Sequence, residues 1–423
     1  MTRSGDALAE WTTLFDDELI ADGDIGEQQL RAIPPRRGVA MLSSADDRAI
    51  LLLPGADLRA RIRNRLRDPE SDEGGPVIPD LQGITRRIRW TLATSHFQSD
   101  LAYFEIARLV WPREYPQMVA WKAPLFVQVD WSEEYPCFRR TRDVVGGGGQ
   151  LVGPMPTVKD AERFIQGLED AFDLCRDPRH LASAPNGQRC AYAQMGRCLC
   201  PCDGSISARE YRQVVERAAR FAAGQRGPMR EELHAAMKAA SAELEFEKAS
   251  AVKRRIERLD QLEGPAFREV APIEQFEFIL VQPTGRISEA RAFFFRGGRV
   301  FGGATLQYPL VEEELNDALA TMERFHPASL PPEPTRVTAM RMGLVARQLF
   351  CRPERRGVML RWREGVASAE LAEAIEQAAE DLGLRERAAP AGKKGIPGAN
   401  SNGGSGDEEQ APRPPSTDTI DGG

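Results

Sequence analysis

No stretch of this 423-residue chain approaches the ~18 consecutive apolar side chains of a membrane-spanning helix, so a membrane role is not expected. The opening, MTRSGDALAEW, has no apolar leader. The expectation is therefore a reducing cytoplasm, where disulfides do not persist. An excess of positive charge is also lacking: 56 Lys and Arg face 63 Asp and Glu, a net charge of −7. That argues against a chain coating nucleic acid along its whole surface, although phosphate contact needs only one positive face. Histidine is scarce, with four in all. His96 is the only one between residues 33 and 118, and so the only histidine there that could move a proton. Large apolar side chains are almost missing from residues 388–423 (GIPGANSNGGSGDEEQAPRPPSTDT and its flanks), and a segment that cannot bury surface is expected to be disordered. The remainder has an ordinary 42% hydrophobic content, and its length suggests roughly two to four modules.

Cysteine is what the chain concentrates. Five of seven lie between Cys175 and Cys202, in CRDPRHLASAPNGQRCAYAQMGRCLCPC. Fourteen residues separate Cys175 from Cys190, seven separate Cys190 from Cys198, and three separate Cys198 from Cys202, with Cys200 between the last two. With disulfides disfavoured, a metal site is the chemical reading; buried free thiols are the plain one. Structural zinc usually takes its ligands as two close pairs. Here only Cys198 and Cys202 are close. Thiolates delivered singly suit an iron–sulfur cluster, in which each iron takes one cysteine.

The surrounding residues narrow the choice. RCAYAQMGRCLCPCDGSISAREY closely resembles the cysteine segment of the UvrC family, the incision component of the excinuclease that carries out bacterial nucleotide excision repair. Cys190, Tyr192, Arg197, Cys198, Pro201, Cys202, Gly204, Ile206, Ser207 and Tyr211 fall on its pattern. The resemblance implies a [4Fe-4S] cluster on Cys190, Cys198 and Cys202, with Cys175 in FDLCRD as fourth ligand. Cys200 is extra to the pattern, able to replace a neighbour or stay free.

Ahead of that segment, residues 8–32 carry apolar side chains at near-helical spacing (Leu8, Trp11, Leu14, Phe15, Leu19) and predict an amphipathic helix. A β-hairpin turning at Ser43–Asp47 should follow, feeding a helix capped by Asp57. That helix carries Arg59, Arg61, Arg63, Arg65 and Arg67, a phosphate-binding surface or a solvated face. Arg59, Arg63 and Arg65 are the candidate DNA contacts.

Residues 33–118 resemble the GIY-YIG nuclease domain that opens the family, in worn form. Its first motif appears as Arg37-Gly38-Val39-Ala40; its second falls on Leu51–Ala56 without tyrosine or lysine. Asp57, Leu58 and Arg61 keep the helix start, and TSHFQSDLAYFEIARLV places Glu105 on the family's metal-binding glutamate. The resemblance implies catalytic roles for Glu105 and Arg61, with Mg2+ or Mn2+ if the site is active. In such a site the tyrosines and lysine position and activate water. Their loss implies an impaired nuclease; the alternative is an active single-cut excision endonuclease with a divergent site.

Residues 119–205 should form a β-hairpin and the cysteine module, with the tract Gly146–Gly149 as a hairpin tip. Residues 206–264 should be helical, with two amphipathic helices folding back near Glu243–Glu245. This pair resembles the UVR motif, by which the family implies docking to a UvrB-type helicase. Leu244, Phe246, Glu247, Ala249 and Ile256 are the candidate partner-binding residues. Strands around FEFILVQ and ARAFFFRGGRVFGGATL open a truncated segment over 266–387, with helices expected at 312–325 and 367–384 and a core position for Cys351. The D-I-S-H-like motif of the family's RNase H-type half has no counterpart in the sequence. The expected class is α+β and multidomain, acting with a UvrB-type helicase and DNA.

Overall fold

The computed structural model describes residues 11–67, 81–145, 148–286, 288–307, 331–352 and 357–362, with a few isolated positions between 313 and 377. The front of the chain builds a four-stranded antiparallel sheet of order β1-β4-β2-β3, from β1 (Asp17–Ile20), β2 (Gly38–Ser43), β3 (Ala49–Gly55) and β4 (Arg87–Leu92). Between β1 and β2 lies the short helix α1 (Glu27–Leu30), and after β3 comes α2 (Leu58–Leu66). The Asp57 carboxylate accepts from the Ala60 N–H, so α2 begins at the cap its sequence predicts. Helix α3 (His96–Val110) starts at Ser95, whose hydroxyl accepts from the Gln98 N–H, and the single turn α4 (Tyr115–Met118) follows.

The pleat of this sheet decides what each face meets. Ala40, Leu42 and Leu53 pack with Leu58, Ile62 and Leu66 of α2 in one core. Val39, Met41 and Leu52 lie in another, with Phe97, Phe104 and Ile106 of α3. Side chains alternate across a strand, so α2 and α3 cover opposite faces.

A second antiparallel sheet has the order β6-β5-β7-β8. It comprises β5 (Leu125–Val129), β6 (Phe138–Thr141), β7 (Gln150–Met155) and β8 (Ala271–Pro272). Six helices fall between β7 and β8: α5 (Val158–Phe172), α6 (Pro178–Ala182), α7 (Ala191–Gln194), α8 (Ala208–Ala222), α9 (Gly227–Ala242) and α10 (Phe246–Gln261). One core joins them, running from Val127 and Phe164 through Tyr211 and Phe221 to Ile256 and Leu259. The third sheet, β11-β10-β9-β12, uses β9 (Phe278–Pro283), β10 (Glu289–Arg296), β11 (Arg299–Gln307) and β12 (Val358–Arg361). With α11 (Thr335–Leu349) it packs into the same core as α3.

Three expectations change. Residues 11–32 are not one amphipathic helix: β1 pairs with β4 from Asp17–Trp90 to Ile20–Arg87. Trp11, Ala21, Ile25 and Leu30 are buried, and satisfying an open sheet edge outweighs local helix periodicity. Of the glycine tract, Gly148 and Gly149 are described and do not close a hairpin between β6 and β7, because those strands flank β5 on opposite sides. Gly149, at φ +89°, passes so close to the Val129 carbonyl that a Cβ would sit 2.1 Å from its oxygen. Cys351 is half-buried, its thiol donating to the Arg352 carbonyl at 3.6 Å, rather than a core residue. The helices expected over 312–325 and 367–384, and the tail 388–423, fall outside the described residues apart from isolated helical positions.

Candidate functional site

The cysteine module is assembled by the exit of α5. Asp173 takes a left-handed conformation, ending the helix, and its carbonyl accepts from the Leu199 N–H at 2.9 Å. This bond brings the two cysteine-bearing stretches side by side. The Cys175 N–H donates to the Tyr211 hydroxyl at 3.3 Å, and its thiol to the Asp177 carbonyl at 3.5 Å. The Cys200 N–H donates to Cys198 Sγ at 3.4 Å; Cys200 and Cys202 Sγ lie 3.8 Å apart; the Cys202 thiol donates to the Gln188 carbonyl at 3.5 Å. Cys175, Cys200 and Cys202 are buried, and Cys198 partly so.

The first pair polarises itself. A hydrogen bond to Cys198, then burial, pushes the Cys175 thiol up. The same bond holds Cys198 down against desolvation, helped by the Cys200 N–H and the Arg176 guanidinium. The two shifts run in opposite directions and favour the thiolate at Cys198, the form a metal ligand needs. Cys190 stands apart: it precedes the single turn α7, is half-exposed, and its thiol bonds to none of these four among the described residues. The structure thus gathers Cys175, Cys198 and Cys202 with the extra Cys200. Among the described residues no group of three or more His, Cys, Asp or Glu has metal-holding geometry. The donor set fits soft-metal chemistry by type and burial.

Glu105 and Arg61 are not brought together. They stand on helices that cover opposite sheet faces. The Glu105 carboxylate is instead taken by two other guanidiniums. Arg108 Nε reaches one oxygen at 2.5 Å, and Arg341 Nε of α11 reaches the other at 2.8 Å. Arg341 is 3% exposed; it also binds Glu333 at 2.5 Å and donates to the Gly298 carbonyl at 3.1 Å. One turn and more away, Asp100 pairs with Arg347 at 2.7 Å, and burial pushes its carboxyl up against that pull. His96 is bonded to Arg37 at 3.0 Å. Nine residues along a helix place it about 13 Å from Glu105, too far to act on a water there. Arg341 is the residue the sequence reading missed. Arg341 is one of three arginines on α11, with Arg336 and Arg347, and nothing in the sequence marks it as the buried one unless its carboxylate partner is known.

The other candidates divide by exposure. At the turn from α9 to α10, Leu244 (71% exposed, φ +59°) and Phe246 (65%) project into solvent. Glu247 is exposed and Ala249 half-buried, whereas Ile256 belongs to the core. On α2, Arg59 donates to the carbonyls of Ile33 and Arg31 at 2.7 and 2.9 Å, while Arg63 and Arg67 pair with Glu27 at 3.0 and 2.5 Å. Arg61 and Arg65 make no ion pair among the described residues.

Comparison with known proteins matches the middle of the chain to a family. Residues 125–221, spanning β5 to α8, match the family described as UvrC/Cho excinuclease, middle domain. UvrABC system protein C of Moorella thermoacetica is 25% identical over 281 residues, 65% of this chain and 44% of that protein. Its counterpart in Hyphomonas neptunium is 24% identical over 295 residues, 69% of this chain and 47% of that protein. That of Leptospira biflexa reaches 35% over 138 residues, 32% of this chain and 22% of that protein. No solved structure matches. The middle of the chain is therefore a domain of the excinuclease class. Over 65% and 69% of its length the chain is similar to these two UvrABC system C proteins, and its matched stretch spans about half the length of those first two relatives or less.

Proposed function

We propose that the chain is a non-cutting subunit of nucleotide excision DNA repair that docks a UvrB-type helicase through the turn between α9 and α10. The observation that carries this is the pair Leu244 and Phe246, two large apolar side chains left in solvent at one tip. Scattered exposed hydrophobics are ordinary, but an aromatic and an aliphatic side by side on a rigid hairpin make an anchor. The hairpin is braced from behind by Arg230, paired with Asp260 and with Glu263 at 2.9 Å, and by Ile256 and Leu259 in the core. This geometry and the sequence pattern together support a UVR-like reading of α9 and α10.

The cysteine module would hold a [4Fe-4S] cluster through Cys175, Cys198 and Cys202, with the fourth position drawn from Cys190 or Cys200. The cluster would tie the exit of α5 to the entry of α8, and its role here is structural or in DNA contact. The GIY-YIG-like front lacks its general-base residues, and its acidic residue is neutralised. A metal ion at Glu105 would have to displace Arg108 and Arg341 from both carboxylate oxygens. Removing positioned proton transfer alone costs roughly 10²–10⁴-fold in rate. A nicking assay on damaged duplex with Mg2+ or Mn2+, with and without the helicase, tests the whole reading. Helicase binding without strand cleavage is expected; metal-dependent nicking by the wild type that Glu105→Gln abolishes would establish the single-cut endonuclease instead.

A further inference from the structure

A groove of about 810 Å³ runs where the end of α8 and the loop Ala223–Arg226 meet residues 268–277 and the end of β12. Two buried hydrogen-bond donors line it without an acceptor among the described residues. Trp362 is 6% exposed, and its indole Nε1–H has no partner among them. The Arg226 Nε–H is likewise buried and unsatisfied, its ion pair with Glu263 stretched to 3.8 Å. Buried polar groups in folded proteins nearly always find partners. Two orphans on one cavity, both obligate donors, call for an acceptor brought from outside.

The charges fix its sign. Arg226, Arg268, Arg296 and Arg361 line the groove against Glu274 and Glu277. Part of this is spent internally. Arg296 faces Glu277 at 3.4 Å, and Arg361 donates to the Gln275 and Glu269 carbonyls with the Glu269 carboxylate at 3.5 Å. Arg268 is exposed and makes no ion pair among the described residues. The acceptor is thus an anion, and the groove is far larger than one small oxyanion needs. We propose that it binds the sugar–phosphate backbone of DNA, whose oxygens take the Trp362 and Arg226 donors while Arg268 supplies charge. The choice of DNA over another polyanion rests on the repair reading above; the donor pair does not.

The test is fluorescence anisotropy of an end-labelled DNA duplex on the full chain across a salt series. Arg268→Gln should weaken binding and reduce the slope of log Kobs against log salt by about 0.9, one counterion contact. Trp362→Phe keeps the ring but removes the donor, so it should cost about tenfold in affinity with the slope unchanged. Circular dichroism melts check that both variants fold; Arg268, being exposed, carries the test if Trp362→Phe does not. Wild-type affinity and slope in Arg268→Gln overturn the groove while leaving the repair reading standing. No duplex binding by the wild type overturns the groove as well, while the repair reading is decided separately by helicase binding. Displacement of the duplex by inorganic phosphate beyond matched chloride, or equally by polyglutamate, makes it a general anion site and overturns the backbone assignment.

Discussion

At the scale of single residues, the cysteines show what spacing reveals and what it hides. The crowding of thiols between Cys175 and Cys202 is readable from sequence alone; which of them converge is not. Cys200 takes φ +58°, a conformation spacing cannot foretell, and this turns the backbone where its thiol meets Cys202 at 3.8 Å. Cys190, which the family pattern favours, stays half-exposed. Cys198→Ser should strip iron from anaerobically purified protein. Cys190→Ser should keep it, with Cys200 in its place, and the Cys190→Ser/Cys200→Ser pair should lose it. Iron content measured against protein decides: an iron-free Cys190→Ser protein returns the fourth position to Cys190. Cys137 behaves differently. Burial pushes its thiol up to about 11, so it should resist iodoacetamide at pH 8 in the native state and react on unfolding. Its folded value lies above the ordinary thiol range near 8.5. The folded state therefore holds this proton more tightly, and the stability it contributes is lost as pH rises from about 9 through 11. A Cys137→Ala protein should show a shallower alkaline decline in melting temperature.

Among the elements, α11 is the one least legible in sequence and most consequential in the structure. Val337, Met340, Leu344, Val345 and Leu349 bury one face of it, but Arg341 and Gln348 are buried beside them, which blurs the periodic signal. Gly343 is where α11 closes on the chain before β5: a Cβ there would lie 2.1 Å from the Lys122 carbonyl oxygen. Residue patterns did locate α2 through its Asp57 cap and the turn at Glu243–Glu245, since both signals are local. Arg341, by contrast, is explained only by Glu105, 236 residues earlier in the chain. Removing one partner of a buried ion pair strands the other, so Glu105→Ala should destabilise by roughly 3 kcal/mol. Glu333 remains to hold Arg341, which sets this at the low end of the range for broken buried pairs. Arg341→Ala should cost about as much, and the double variant clearly less than the sum. Chemical denaturation of the four proteins measures the coupling. Additive losses would show that the pair contributes nothing jointly, and would free Glu105 for another role.

For the whole molecule, the sequence divides into stretches of different character that the fold does not keep apart. A separate C-terminal segment over 266–387 is a natural reading, because strands resume after Gly264-Pro265. Yet β10 and α11 share one core with the front sheet. Phe97 of α3 meets Phe293 of β10 edge-on at 5.3 Å, and Phe104 lies under the Arg341 guanidinium at 5.7 Å. The Trp121 indole N–H donates to the Met340 carbonyl at 2.9 Å, joining the entry of the second sheet to α11. These contacts come from residues more than 150 positions apart, which no local pattern encodes. A chain ending at residue 264 would uncover Phe97, Phe104, Ile106 and Trp121 together, and each such side chain is worth about 1.5–3 kcal/mol when buried. It would also lose β8 from the second sheet and leave Arg108 alone to hold Glu105. Marginal net stability cannot absorb several such losses at once. The shortened chain should therefore melt non-cooperatively and bind a hydrophobic dye, although residues 125–221 alone define the excinuclease middle domain. A cooperative melt at the full-length temperature would mean that the front half folds by itself, and that α11 merely rests on it. In that outcome the Arg341 contact becomes a cover that can lift, and Glu105 would be worth testing for metal binding in the shortened chain.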